Sequence, residues 1–73
     1  MIPHERVLAI KLIWVALMMK AEHRDAGLCI ARVYCNAFEI DSDEIERRLY
    51  GDQYPNGPRE QAMSFEKALE IAA

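Results

Sequence analysis

Apolar residues crowd the first third of the chain without choosing a side. From Val7 to Met19 the run VLAIKLIWVALMM contains one charged residue, Lys11. Wound at about 100° per residue, Leu8, Ile10, Leu12, Ile13, Trp14, Leu17 and Met19 cover most of the cylinder, while His4, Lys11 and Glu22 fall on one narrow strip. A helix this apolar must be covered on several faces, by its own chain, by a second copy or by lipid. Pro3 suits a first helical turn and no breaker stands between His4 and Glu22, so the pattern predicts a first helix over 3–23.

The apolar period stays helical beyond it. In DAGLCIARVYCNAF, Ala26, Ile30, Val33 and Ala37, flanked by Tyr34, form an apolar face opposite Arg32 and Asn36. Asp25 is the expected N-cap of a second helix over 26–38, and Ala26, Gly27, Ala31 and Ala37 are small enough to let it approach the first closely. Asp41 and Glu44 have the spacing of a capping box and Ile40 and Ile45 that of a hydrophobic staple. These predict a third helix over 42–50, stopped by Gly51, with Ile45 and Leu49 as its inner edge. Its charges pair internally, Asp43 with Arg47 and Glu44 with Arg48. Pro55-Asn56-Gly57 reads as a turn, after which Pro58 opens a last helix over 58–72 with Ala62, Phe65, Ala68, Leu69 and Ala72 on one face. No segment alternates with period two. The expected fold is therefore all-α: a single domain over 1–73, a small bundle of about four helices around a central apolar N-terminal helix.

Size and composition agree with one globular domain. The chain has 73 residues, 52% hydrophobic and 29% charged, too aliphatic for disorder and near the lower limit for folding without staples. The apolar run spans 13 residues with Lys11 inside it, short of the roughly 20 that a membrane helix needs, and no small-residue cleavage site follows it. Cys29 and Cys35 lie six positions apart, about 240° around a helix, so they cannot bond to each other. Reduced thiols point to the cytoplasm.

Candidate chemistry is sparse. His4, His23, Cys29, Cys35, Ser42 and Ser64 have no partners at a diagnostic spacing, and the histidines and cysteines lack the paired short intervals of structural zinc sites. No catalytic residue, cofactor or metal site is expected. Asp41-Ser42 at a helix start in a small acidic chain resembles the Asp-Ser attachment site of acyl carrier proteins, which would imply a phosphopantetheine on Ser42. Asp43 stands where those proteins carry a hydrophobic residue, and the helix here is shorter; capping explains the same two letters. The pair 26–38 and 42–50 also has the layout of a helix-turn-helix, which makes a DNA-binding regulator the alternative function. Charge argues against it, since the second helix opens on Asp41, Asp43, Glu44 and Glu46, and phosphate neutralisation needs Lys and Arg.

Charge is instead divided along the chain. Up to Phe38 there are five basic and three acidic residues, and from Glu39 onward four basic and nine acidic, for a net −3. The expected function is that of a small non-enzymatic protein-binding regulator, adaptor or inhibitor, with Glu39, Asp41, Asp43, Glu44, Glu46 and Arg47 as its binding surface. The surplus of large apolar residues on the first helix predicts a homodimer, with Leu8, Leu12, Ile13, Trp14 and Leu17 at the interface.

Overall fold

The computed structural model describes residues 2–51 and 63–73. Four helices account for most of them, with no strand among the described residues: α1 (His4–Met18), α2 (Ala21–Ala37), α3 (Ser42–Tyr50) and α4 (Phe65–Ala72). The all-α expectation holds, and α1 touches all three other helices.

The first helix ends sooner than its pattern suggests. Met19 and Lys20 are both extended, at ψ 161° and 149°, and they form a joint of two residues after which α2 begins at Ala21. Local hydrogen bonds absorb the break: the Met19 N–H donates to Ala16 O at 3.2 Å, the His23 N–H to Lys20 O at 2.9 Å, and Arg24 Nη2 to Met19 O at 3.2 Å. Asp25 thus lies inside α2 and is not its cap. Neither glycine nor proline marks the joint. Its cause is tertiary, because folding α2 back lays Gly27 directly on Ala16.

That close approach also decides which side of α2 is buried. Leu28, Ala31 and Cys35 face the core, whereas Ala26, Ile30, Val33 and Ala37, the face the pattern marked as apolar, are exposed. A Cβ on Gly27 would sit 2.9 Å from Ala16 Cβ, so there is no room between the two helices for branched side chains. Small residues hold the contact, and the large ones point outward.

α2 ends in a Schellman arrangement, with the Ile40 N–H donating to Cys35 O at 2.8 Å. The left-handed position there is occupied by Glu39, at φ 57°, where glycine is usual. The third helix follows its prediction: Asp41 accepts a hydrogen bond from the Glu44 N–H at 3.2 Å, Ile45 and Leu49 are buried, and Gly51 at φ 71° ends it. The last helix starts at Phe65, capped by the Ser64 hydroxyl, which accepts from the Lys67 N–H at 3.2 Å. Met63 and Ser64 are not helical. The expected turn at 55–57, the start at Pro58 and the contribution of Ala62 lie outside the described residues.

The helices pack around α1. α1 and α2 pack along each other, α3 lies against both, and α4 lies against α1 and α3, with Ile10, Ile13, Leu17, Leu28, Ile45, Leu49 and Ala68 enclosed among them. Trp14 fastens α1 to the start of α4: its indole N–H donates to Met63 O at 2.6 Å and its ring lies 5.5 Å from that of Phe65.

Candidate functional site

Most of the expected acidic surface holds the fold together. Glu46 is not on the surface at all; its side chain is 1% exposed, and both oxygens accept from Arg32, at 2.8 and 3.0 Å. A buried carboxylate needs such a forked partner to offset its lost hydration. Glu44 is half-buried between Arg6 at 3.1 Å and Arg48 at 3.8 Å. Asp41 caps α3 and Glu39 closes α2. Asp43 and Arg47 are exposed on α3.

An open groove of about 350 Å³ lies at this end of the molecule, lined by Pro3, Glu5, Arg6, Phe38, Glu39, Ile40 and Asp41. Its one guanidinium is already engaged, since Arg6 Nη2 donates to Ala72 O at 2.8 Å as well as to Glu44. Glu5, Glu39 and Asp41 give the groove an acidic rim.

The reactive side chains stay apart. Cys35 is buried and Cys29 exposed, and both are free thiols. Burial, reinforced by the Glu46 carboxylate, pushes the Cys35 thiol above its ordinary value of 9.0, which disfavours the thiolate that a nucleophile would require. His23 is exposed beside Glu22, at 3.4 Å. Among the described residues no group of three or more His, Cys, Asp or Glu could hold a metal ion, and no helix is long and apolar enough to cross a membrane.

A different surface stands out. On α2, Ile30 and Val33 are each 65% exposed, with Ala26 and Ala37 above and below them on the same strip. On α1 and at the joint that follows it, Leu8, Val15 and Met19 are between 36% and 39% exposed, with Leu12 half-buried beside them. Helical geometry sets both strips on one side of the molecule. Around α1 the side toward α2 is fixed by Ala16, which meets Gly27, and the side toward α4 by Trp14 and Lys11, both against Phe65. Leu8, Val15 and Met19 lie in the arc left over, facing away from α3 and α4. Around α2, Gly27 marks the side toward α1 and Arg32 the side toward α3, which leaves Ala26, Ile30, Val33 and Ala37 outward as well. The outer face of the α1–α2 pair thus carries both apolar strips, with His4 and Lys11 along the α1 edge.

The five residues expected at a dimer interface divide across this geometry. Ile13 and Leu17 are enclosed in the chain's own core and Trp14 is turned toward α4; Leu8 and Leu12 belong to the outer face. The sequence pattern of α2 held the missing signal, because Gly27, Ala31 and Cys35 form a strip of small residues suited to close packing, and the branched residues lie off it.

No family model matches the chain, no curated protein resembles it at a meaningful level, and no solved structure matches its fold.

Proposed function

We propose that the chain is a non-enzymatic protein-binding module, a small regulator, adaptor or inhibitor, and that it docks through the outer face of α1 and α2. The observation that carries this reading is the 65% exposure of Ile30 and Val33 in the middle of an ordered helix. Scattered single apolar residues on a surface need no explanation, whereas a contiguous strip of branched ones does. Covering a Val or Ile side chain fully contributes roughly 1.5–3 kcal/mol, so a partner that covered both would gain an anchor at the centre of the contact. The acidic end of the molecule plays a supporting part, its carboxylates Glu5, Glu39 and Asp41 rimming the groove beside this face. The DNA-binding alternative gains nothing from the geometry, since the first turn of α3 presents Asp43 and Glu44.

Affinity capture from the source cell, with wild-type chain and the Ile30→Lys/Val33→Lys variant as paired baits, tests the reading. Partners held by the wild type and released by the variant are expected. Identical partners on both baits, or duplex DNA binding that weakens steeply with salt, would overturn it.

A further inference from the structure

Resting on the reading of this face as a protein-docking surface, we infer that its occupant is a second copy of the same chain, stacked face to face about a two-fold axis that crosses both helices. The spacing of the exposed residues carries the inference. On α2 the strip is Ala26, Ile30, Val33 and Ala37, with steps of four, three and four. On α1 it is Leu8, Leu12 and Val15, and Met19 in the joint just beyond the helix extends it with the same steps. This is the heptad spacing of a helix seam, and it reads the same from either end. Reversing α2 against a copy of itself sets Ile30 on Val33 of the second copy and Ala26 on Ala37. Reversing α1 likewise sets Leu12 on Val15 and Leu8 on Met19.

Two such strips can share one axis only if their centres lie at similar heights, and they lie within one helical turn of each other. Gly27 meets Ala16 near one end, and Glu5 and Phe38 line one groove at the other, which fixes the antiparallel alignment of α1 and α2. With Gly27 opposite Ala16, the midpoint of the α1 strip, between Ile13 and Trp14, then falls within about two residues, or ~3 Å of rise, of the α2 midpoint between Ala31 and Arg32. A single two-fold axis through that height serves both helices, as an isologous contact requires.

Charge selects this axis over the other way of stacking the face on itself. An axis running along the helices would also superpose the strips, but it would gather the Glu5 and Glu39 carboxylates of both copies, which line one groove in each chain, at the same end. An axis across the helices sends each acidic end to the opposite end of the pair, beside the joint and first turns of α2, where Lys20 and Arg24 balance Glu22 and Asp25. The two acidic ends are thereby kept apart. The area is sufficient as well. A face two helices wide and about 25 Å long presents on the order of 500 Å² in projection and more in accessible surface, the scale of the ~800 Å² per partner in a standard interface.

Light scattering across a micromolar concentration series decides the matter. The wild type is expected to approach twice the 8.4 kDa of one chain. Ile30→Lys/Val33→Lys, with unchanged helix content by circular dichroism, is expected to weaken association by on the order of 100-fold or more. In a Cys29→Ser background, Ile30→Cys should form a disulfide-linked dimer on mild oxidation, because residue 30 faces its own counterpart within about one helical turn only when the axis crosses the helices. A wild type that stays at 8.4 kDa overturns the inference, and so does a dimer that survives the double lysine variant or fails to cross-link through residue 30. If the chain is monomeric yet the lysine variant releases a captured protein, the self-pairing fails while the docking face stands. If neither effect is seen, both fail.

Discussion

Single side chains in this protein carry unequal shares of the structure, and the Arg32–Glu46 pair shows why. The carboxylate is 1% exposed, whereas the guanidinium side chain is 47% exposed. Arg32→Ala strands a buried charge, and the expected loss of folding stability is about 2–4 kcal/mol. Glu46→Gln leaves Arg32 able to turn to water, so about 1 kcal/mol is expected. Paired urea denaturations measure the difference, and equal losses would contradict the assigned burial. At Glu39 the backbone itself is the issue, since a left-handed φ of 57° strains any residue with a Cβ. Glu39→Gly should therefore stabilise the fold by about 0.5–1 kcal/mol, visible as a raised thermal midpoint. Cys35 gives a pH signature. Its thiol is held above the ordinary 9.0 in the folded chain, so the folded state keeps its proton where the unfolded state loses it, and stability falls as pH rises past that value. Cys35→Ala should flatten that alkaline decline in chemical denaturation, whatever it costs at neutral pH.

At the scale of elements, legibility tracked how local the cause was. The third helix could be read almost residue by residue, because Asp41, Glu44, Ile45 and Gly51 act on their own neighbours and the cap, the buried edge and the stop are all where the spacing puts them. The first two helices could not, because a contact between them sets both the joint at Met19–Lys20 and the buried side of α2. Hydrophobicity alone marks Ile30 and Val33 as core; only the closeness of Gly27 to Ala16 excludes them from it. The same physics governs the candidate site, since counting charges identified an acidic segment but not that Glu46 turns inward to Arg32. Gly27 is where this account is most exposed to test. In an open helix Gly27→Ala would gain about 1 kcal/mol from propensity, but here the new methyl meets Ala16 Cβ at 2.9 Å and its Cα at 3.2 Å. Overpacking of this kind costs about 1–3 kcal/mol, so a net loss of about 1 kcal/mol is expected by urea denaturation. A gain would show that α1 and α2 are not in contact there.

Across the molecule, α3 and α4 cover one side of α1, α3 alone reaches α2, and among the described residues nothing covers the apolar strips on the other side. α3 has nine residues and α4 has eight, too short to wrap a helical pair of 15 and 17. Leu28 and Ile30, two residues apart on α2, accordingly belong to different worlds: one lies in the core and the other is 65% exposed. Leu28→Ala should cost about 2–4 kcal/mol at any protein concentration, because it empties space inside one chain. Ile30→Lys should leave the folding of an isolated chain within about 0.5 kcal/mol of wild type. Its effect should emerge only through association, since whatever binds the folded state stabilises it by mass action. The thermal midpoint of the wild type is therefore expected to climb with protein concentration, and that of Ile30→Lys/Val33→Lys to stay level, the two curves converging on dilution. Calorimetry over a hundredfold range of concentration would resolve this, and a wild-type midpoint independent of concentration would mean that the outer face of α1 and α2 adds nothing to stability by self-pairing.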